Sequence, residues 1–385
     1  MGFDFIVVGG GISGAGTAHY LQAAGAKVLL LERDQPASGG TGKSAAIVRQ
    51  HYSTPLMARL ARQSIAIFER MTAELGRSGG FQKAGYHLLL PPAMLDAATA
   101  NAAMQREVGV RTGLLAKESW PGLPWLDPDG VAGIIHEPDG GYADPVASTE
   151  AYLEAFERAG GIVRRKTACR ALTREKNRII GVQTDEGAVA AGGVVNAAGP
   201  WAKFLAESAG IAMQMRAVRE QDTVWEARAG RPLPSGSVSN AVDAVYLRPL
   251  GERRFIVGRG FPKDYVDVDP YNYKVTADED FISDVQSRLE THLPGFSGAK
   301  LIASYAALYD VTADWYPYVG PRQGIEGYFD FCGGSGHGFK IAPAMAQELS
   351  QWMLTGKAAA DFARLSHDRV AAADLFSGSY GGNRG

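Results

Sequence analysis

The 385-residue sequence has only two cysteines, Cys169 and Cys332, which lie far apart and lack the spacing of a metal-binding or redox pair. A disulfide framework is therefore excluded, and a reducing compartment such as the cytoplasm is expected. Long apolar runs are also missing, since no stretch approaches the roughly eighteen residues of a membrane-spanning helix. The N-terminus has no basic region before its first apolar run, as a secretory signal peptide would. We expect a soluble, cytoplasmic protein with no integral membrane segment.

A surplus of charge of one sign is absent as well, because 39 Lys and Arg residues stand against 41 Asp and Glu residues, a net charge of −2. Such a balance creates no field that would attract nucleic acid or an anionic membrane. The seven histidines lack the spacing of metal ligands, and the GxSxG motif of serine hydrolases is missing. We therefore expect neither a nucleic-acid partner nor a metal.

Glycine, by contrast, is abundant, at 48 of 385 residues, or about 12% against roughly 7% in an average protein. The length suggests two domains of roughly 100–200 residues each. Apolar periodicity and turn residues predict the main elements. These are strands over 3–8 and 27–32, helices over 15–24 and 55–75, short strands with Pro/Gly turns over 80–140, a helix over 150–159, strands over 161–165, 178–184 and 193–199, a strand-rich stretch over 216–260 and a helix over 278–292.

The turn between the first strand and the first helix carries the GxGxxG pattern of dinucleotide-binding proteins. Gly9 allows the tight turn, Gly11 lets the backbone approach a pyrophosphate, and Gly14 permits close packing of helix on strand. Glu32, at the end of the second strand, can accept hydrogen bonds from ribose hydroxyls, and its charge disfavours the 2′-phosphate of NADP. The pattern alone leaves FAD and NAD open. The residues predicted to bind the nucleotide here are Gly9, Gly11, Ile12, Ser13, Gly14, Glu32 and Arg33.

A second small-residue segment, 38–44, follows the ribose-binding acid. Its Gly-Lys-Ser end is similar to a Walker A loop, but the first glycine of that motif is replaced by Ala37 and no strand leads into it. A loop of small residues at this place suits a cofactor that extends past its pyrophosphate; the alternative is a flexible surface loop. The predicted cofactor contacts in it are Thr41, Gly42, Lys43 and Ser44.

Three later motifs carry a family resemblance. They are Asn-Ala-Ala-Gly-Pro-Trp at 196–201, the spaced Tyr, Thr, Asp, Pro and Gly at 309–320, and Gly-Ser-Gly-His-Gly-Phe-Lys at 334–340. With the N-terminal pattern, they resemble the D-amino-acid oxidase superfamily of flavoproteins, in particular its sarcosine oxidase, glycine oxidase and dimethylglycine-oxidising branch. The chain is similar to this family over its whole length, most clearly in the motifs that bind FAD.

The resemblance implies an α/β (overall α+β) fold, in which a Rossmann-type FAD-binding domain is interleaved with a mixed or antiparallel sheet domain that covers the flavin. The implied FAD-binding segments are 1–80, 141–215 and 300–385. The implied substrate (cap) segments are 81–140 and 216–299. In relatives the flavin ring lies between the two domains, near the start of the last long helix.

The resemblance also assigns roles to individual residues. Arg49 and Lys340 correspond to cations that bind a substrate carboxylate, His337 to an imidazole beside the flavin, and Tyr246 and Tyr309 to aromatic walls of the substrate cavity. The alternatives are a solvated arginine, a structural histidine and core tyrosines. The further cofactor contacts it implies are Cys169, Ala198, Gly199, Trp201, Gly334, Gly336, His337, Gly338, Phe339 and Lys340.

Two positions depart from the family pattern. Ala307 stands where relatives with covalently attached flavin have a cysteine, so non-covalent FAD is expected. Ile256 stands, by alignment, where some oxidases place a lysine over the flavin, so either O2 or another electron acceptor is compatible with the sequence.

The implied reaction is the oxidation of a C–N bond in a small amino acid or N-methylated amine such as sarcosine or glycine. A hydride passes to the flavin, and the resulting imine is hydrolysed. No acid–base side chain is strictly required, because the flavin performs the difficult step. The alternatives are a flavin-bearing subunit of a larger complex and an NAD-dependent dehydrogenase. The sequence gives no oligomeric state.

Overall fold

Two large β-sheets form the framework of the computed structural model, which describes residues 2–380. Within these residues the strands are, in chain order, β1 (Phe3–Val8), β2 (Val28–Leu31), β3 (Ile47–Val48), β4 (Tyr86–Leu90), β5 (Gly113–Leu114), β6 (Gly133–Glu137), β7 (Gly141–Tyr142), β8 (Ile162–Arg164), β9 (Cys169–Glu175), β10 (Arg178–Thr184), β11 (Gly187–Asn196), β12 (Met215–Glu226), β13 (Ser237–Asn240), β14 (Val245–Pro249), β15 (Arg254–Arg259), β16 (Val266–Asp267), β17 (Lys300–Thr312), β18 (Tyr318–Arg322) and β19 (Ile325–Cys332). The helices are α1 (Ile12–Ala23), α2 (Pro55–Leu75), α3 (Leu95–Glu107), α4 (Pro145–Arg158), α5 (Ala202–Glu207), α6 (Glu279–His292), α7 (Gly338–Thr355), α8 (Ala360–Ala363) and α9 (Asp368–Ala371).

The first sheet is a Rossmann-type sheet. Its parallel strands run in the order β8-β2-β1-β11-β19, the antiparallel strand β18 closes one edge, and the β9–β10 hairpin extends β11. Helix α1 packs against α4 and α7, and α2 also packs against α7. All four residues of β2 are buried, as expected for a parallel strand covered on both faces.

The boundaries of two helices around the sheet follow from their capping residues. The helix predicted over 55–75 has these bounds, with a Thr54 side chain that caps its start and Gly76 in the left-handed conformation at its end. The helix predicted over 150–159 begins earlier, at Pro145, because the Asp144 carboxylate accepts hydrogen bonds from two backbone amides of its first turn. Side-chain caps thus explain both starts.

The second sheet is built almost entirely from antiparallel pairs. Its order is β16-β12-β15-β14-β13-β4-β6-β5, with β17 on the other side of β12, and only the β4–β13 pair within the described residues is parallel. Strands β12 and β17 are 12 and 13 residues long and pair along nearly their whole length. They form a long ribbon that brings their inward side chains toward the first sheet.

The α/β fold class predicted from the sequence is confirmed, with two local differences. Residues 80–140 contain helix α3 as well as strands; its buried face consists of small or polar side chains, so apolar periodicity gave no signal. Strand β17, at 300–312, joins the second sheet although the sequence analysis grouped 300–385 with the FAD-binding segments. The division into FAD-binding and cap domains remains a prediction.

The C-terminal segment 372–380 returns across the end of the first sheet. The Phe376 ring stacks on the Tyr316 ring at a centroid distance of 4.6 Å. The Ser379 hydroxyl donates a hydrogen bond to the Asn101 side-chain oxygen at 3.0 Å, which joins the segment to α3. This path brings Tyr380 to the cavity described next.

Candidate active site

A continuous cavity of about 980 Å³ is lined by residues of both sheets. It runs from the GxGxxG turn, past the start of α7, to the inward face of the second sheet and the C-terminal segment. Every residue that the sequence analysis assigned to catalysis or to the cofactor lines this cavity, except Gly14 and Gly42. The structure therefore brings together side chains that are more than 300 residues apart.

The GxGxxG turn presents backbone to the cavity because side chains do not fit there. Gly9 has a φ of +112°, and a Cβ at this position would overlap the carbonyl oxygen of Ala197. A Cβ at Gly14 would overlap the carbonyl oxygen of Gly9, so Gly14 packs the start of α1 against the turn and does not face the cavity. The N-terminus of α1 is a suitable site for phosphate groups.

The second small-residue segment closes over the same helix start. The Thr41 hydroxyl accepts a hydrogen bond from the Ile12 amide at 3.2 Å. The Lys43 ammonium donates to the Tyr273 hydroxyl at 3.0 Å, which connects the segment to the other side of the cavity. A Cβ at Gly42 would overlap the Ala37 carbonyl oxygen, so this glycine shapes the loop from outside the cavity.

The far end of the cavity fits an adenosine. The Glu32 carboxylate, just after β2, accepts hydrogen bonds from the amides of Gly10 at 2.8 Å and Asp34 at 2.6 Å. The Arg33 guanidinium lies over the Trp201 ring, 4.3 Å from its centroid. The indole Nε1 of Trp201 is buried and has no hydrogen-bond partner within residues 2–380. An extended groove with glycine backbone, a carboxylate and an unpartnered donor fits FAD.

Cys169 lines the same end of the cavity. Burial raises the pKa of its thiol to about 12, so this side chain is neutral at physiological pH. Its side chain therefore forms a neutral part of the cavity wall.

The start of α7 forms the middle of the cavity. His337 precedes this helix, and its Nε2 lies 2.8 Å from the Trp315 carbonyl oxygen, which can only accept a hydrogen bond. Its Nδ1 lies 3.4 Å from the Tyr52 hydroxyl. Burial lowers the pKa of His337 to about 3. The imidazole is therefore neutral, with its proton on Nε2. A Cβ at Gly336 would overlap the ring of Tyr309, so this glycine lets the turn approach the aromatic wall.

Two cations face the cavity from opposite elements. Arg49 lies in the loop after β3, donates a hydrogen bond to the His51 carbonyl and stands 4.9 Å from the centroid of the Tyr52 ring. Lys340, in the first turn of α7, is 7% exposed. Burial, together with the nearby Arg49 charge, holds the pKa of Lys340 well below its usual value. An anionic group bound between these two side chains would offset both the burial of the Lys340 charge and its repulsion by Arg49.

The second sheet provides the opposite wall. The Tyr246 hydroxyl donates a hydrogen bond to the Asp222 carboxylate at 2.9 Å. The Lys263 ammonium forms an ion pair with Glu220 and lies 5.9 Å from the centroid of the Tyr309 ring. Both tyrosines predicted as aromatic walls line the large cavity, and each lies beside charged groups that the sequence analysis did not identify.

Ile256, aligned with the lysine that some oxidases place over the flavin, does not line the large cavity. Ile256 lines a separate, second cavity of about 560 Å³ together with Arg248 and Tyr305. Lys263, in the loop after β15, lines the large cavity instead. The lysine on this wall therefore comes from a loop whose position no sequence pattern indicated.

Besides Lys263, four cavity or near-cavity residues were missed. Glu220 and Asp222 lie two residues apart on β12, which places them on the same face of the strand. Two acidic residues on one face of a predicted strand were the sequence signal that could have identified them. Glu137 is fully buried at the end of β6 and accepts a hydrogen bond from the Gln50 amide at 2.7 Å. The Tyr380 hydroxyl lies 2.9 Å from His51 Nε2. Nothing in the local sequence marks Glu137 or Tyr380.

No helix within residues 2–380 is long and apolar enough to cross a membrane. A search of the same residues finds no group of three or more His, Cys, Asp or Glu side chains that could hold a metal ion.

Known proteins are similar to this chain in sequence and in fold. The model of the DAO family, described as FAD dependent oxidoreductase, matches residues 4–352. The 4-methylaminobutanoate oxidase (formaldehyde-forming) of Paenarthrobacter nicotinovorans is 28% identical over 362 residues, 91% of this chain and 43% of that protein. The glycine oxidase of Pseudomonas putida is 26% identical over 365 residues, 92% of this chain and 95% of that protein. The crystal structure of L-proline dehydrogenase from P. horikoshii has a TM-score of 0.90 and 26% identity, covering 97% of this chain and 99% of that chain.

The chain spans less than half the length of the first of these relatives and nearly the whole length of the other two. The family model covers most of the chain and includes every residue that lines the large cavity except Tyr380. The family predicted from the motifs is confirmed, as is its cofactor: the chain belongs to the DAO family of FAD-dependent oxidoreductases.

Proposed function

We propose that this chain oxidises the C–N bond of a small amino acid or N-methylated amine that carries a carboxylate. Bound FAD would supply the hydride acceptor, and water would hydrolyse the imine product. The observation that carries the proposal is the pair of Arg49 and Lys340 beside the tyrosine wall in one cavity. Relatives named for methylaminobutanoate and glycine oxidation, and a structural neighbour named for L-proline dehydrogenation, support this substrate class.

The proposed role of the two cations is to bind and orient the carboxylate. Arg49 offers a planar fork that can donate two parallel hydrogen bonds, and Lys340 adds a point charge from the other side. A substrate ammonium has an ordinary pKa near 10.4, so its deprotonation at neutral pH costs on the order of 4–5 kcal/mol. Nearby positive charges lower that cost because they disfavour the ammonium form.

The proposed binding of FAD is non-covalent. Ala307 lies on β17, where it is buried and lines the large cavity. A methyl side chain offers no atom for attachment to the flavin at this position. Precipitation of the holoenzyme with acid should release all of the flavin into solution, and flavin that stays in the pellet would contradict this assignment.

An anaerobic substrate screen tests the main proposal. Sarcosine, dimethylglycine, glycine, proline and 4-methylaminobutanoate are mixed with the holoenzyme, and loss of the yellow flavin colour is followed. The controls are hydroxy acids of matched size. At least one amine should bleach the flavin; bleaching by hydroxy acids alone would refute an amine substrate. A yellow protein that nothing bleaches would indicate the alternative, a flavin-bearing subunit or silent module. The rate at which colour returns in air separates an oxidase from a dehydrogenase.

Replacement of Arg49 by Ala tests the carboxylate site. Loss of a charged hydrogen bond worth about 1.5–3 kcal/mol should weaken carboxylate substrates roughly 10–150-fold in Kd. Arg49→Lys is the matched control, because it keeps the charge and loses the planar fork; we expect an intermediate effect. A substrate analogue without the carboxylate should bind wild type and both variants equally. Unchanged binding of the carboxylate substrate by the Ala variant would remove Arg49 from the site.

A further inference from the structure

Three residues form a straight row across the second sheet. Asp222 on β12 is the register partner of Gly258 on β15, and Gly258 is the partner of Tyr246 on β14. A Cβ at Gly258 would overlap both the Tyr246 hydroxyl and the Asp222 carboxylate. Because the middle residue has no side chain, Tyr246 lies across β15 and its hydroxyl reaches the carboxylate two strands away, at 2.9 Å.

The row faces the large cavity, and Asp222 is 3% exposed. Its charged and titratable neighbours come from each adjoining element. They are Glu220 on its own strand, Tyr246 and Arg248 on β14, Tyr305 and Tyr309 on β17, and Lys263 in the loop after β15. Burial, and then the negative charge of Glu220, raise the pKa of Asp222 to about 7, against the opposing effects of Tyr246, Lys263 and Arg248. The carboxyl group thus changes charge in the physiological range.

Three other ionisable groups that line the cavity, Asp310, Glu32 and His337, hydrogen-bond to backbone groups. The Asp310 carboxylate accepts a hydrogen bond from the Gly333 amide at 2.7 Å, within a turn of backbone donors. Glu32 is bound by backbone amides at the adenosine end. His337 directs its Nε2 proton at a carbonyl oxygen. Asp222 differs from these because its partner is a tyrosine hydroxyl that also lines the cavity.

We propose that Asp222 accepts the proton of the substrate ammonium and that the Tyr246 hydroxyl relays it. The inference rests on the proposed function. In the step, an N–H bond of the ammonium breaks and its proton goes to the Tyr246 oxygen, while the O–H bond of Tyr246 breaks and that proton goes to Asp222 Oδ1. The products are a neutral amine, an unchanged tyrosine and a carboxylic acid, so charge balances without an oxidant. The amine lone pair is then available when the hydride leaves.

Stopped-flow reduction of the flavin under anaerobic conditions, measured from acidic to alkaline pH, tests the relay. In wild type the reduction rate should rise with an apparent pKa near 7, since only the carboxylate form of Asp222 can accept a proton. In Asp222→Asn the rise should move to higher pH, toward the ordinary amine pKa of about 10, because no carboxylate is left to accept the proton. The rate at neutral pH should fall on the order of 10²–10³-fold. A variant that keeps the rise near 7 would overturn the proposal.

Two further variants separate the relay from a structural effect. Tyr246→Phe keeps the carboxylate but removes the relay, so it should shift the pH profile as Asp222→Asn does, and the double variant should show no further shift. This variant also serves if Asp222→Asn fails to fold. Tyr305→Phe is the control, because Tyr305 neighbours Asp222 from the second cavity; its profile should match wild type. A wild-type profile for Tyr246→Phe would refute the relay.

Infrared spectroscopy of the resting holoenzyme gives a readout that is independent of turnover. Glu137 has a similar pKa, so the readout is the difference between wild type and Asp222→Asn: it should contain a protonated carboxyl band that disappears as pH rises through about 7. A difference spectrum without such a band would overturn the inference while leaving amine oxidation intact. If no amine bleaches wild-type flavin in the screen above, the proposed function fails and the relay fails with it.

Discussion

The wall of the cavity formed by the first sheet presents backbone, whereas the wall formed by the second sheet presents buried ionisable side chains. In the first wall, Gly9 and Gly14 are glycines because a Cβ would overlap backbone oxygens. In the second, Asp222 and Glu220 lie under the tyrosines, with 3% exposure each. Binding of FAD, the cofactor of the family, explains the first wall, and the proposed substrate chemistry would explain the second. The comparison predicts that an added side-chain atom disrupts the first wall, whereas a change of charge disrupts the second.

Replacement of Gly14 by Ala should have the largest effect on FAD binding. Its Cβ would overlap the Gly9 carbonyl oxygen, which belongs to backbone and cannot rotate away. Overpacking of this kind costs about 1–3 kcal/mol, and the upper value corresponds to roughly 150-fold weaker FAD binding. Titration of the apoprotein with FAD, followed by fluorescence, measures the loss.

Gly122→Ala is the matched control for this substitution. No atom lies within 4 Å of the Cβ that it would add, and the residue is exposed. We expect FAD affinity equal to wild type. If Gly14→Ala also binds FAD like wild type, the first wall does not depend on close packing of its backbone, and the contrast between the walls disappears.

The first wall could be predicted from sequence because its constraint is local. The glycines, the following helix and Glu32 lie within one short βαβ unit, and backbone geometry restricts each position to few residue types. The start of α7 is similar, since a short motif places Gly336 against Tyr309 and His337 before the helix. These features need no knowledge of distant partners.

The second wall could not be predicted because its residues acquire their properties from strand pairing. Asp222 becomes part of the site only when Gly258 and Tyr246 take places beside it, and that register is set by residues far apart in sequence. Helix α3 was missed for a related reason, because its buried residues are Ala98, Asn101 and other small or polar side chains. Burial of a polar residue can be predicted only when the residues that pack against it are known.

Glu137→Gln tests whether a buried carboxyl group weakens the second sheet at high pH. Burial raises the pKa of Glu137 from 4.5 to about 7, against the opposing effects of Gln50 and Arg49. The folded state therefore holds the proton more tightly than the unfolded state, and the resulting stabilisation is present below about pH 4.5 and lost as pH rises through about 7. The loss is about 3 kcal/mol. Chemical unfolding of wild type and variant across this range measures it.

Asp139→Asn is the control of opposite sign. Hydrogen bonds from Arg111 and Lys83 lower the pKa of Asp139 to about 2. Its contribution to stability is present above the unfolded pKa and is lost as pH falls, so above about pH 5 the difference between wild type and this variant should change much less than for Glu137→Gln. The remaining change comes from the Asp139 charge, which adds a small part of the Glu137 shift. For Glu137→Gln, parallel unfolding curves at all pH values would show that burial does not destabilise the charged carboxylate.

The smallest expected effect tests the end of the second wall, where Tyr380 meets His51. Burial, and then Arg49, lower the pKa of His51 to about 3, so the hydrogen bond at 2.9 Å joins two neutral groups. Tyr380→Phe should therefore weaken substrate binding by about 0.5–1.5 kcal/mol, roughly 2–13-fold in Kd, without changing the limiting rate of flavin reduction. Ser379→Ala is the control, because this hydroxyl contacts Asn101 and does not line the cavity. Equal Kd values for both variants and wild type would show that the C-terminal segment contributes nothing to substrate binding. Only residues on the strands of the second sheet would then bind substrate on this side of the cavity.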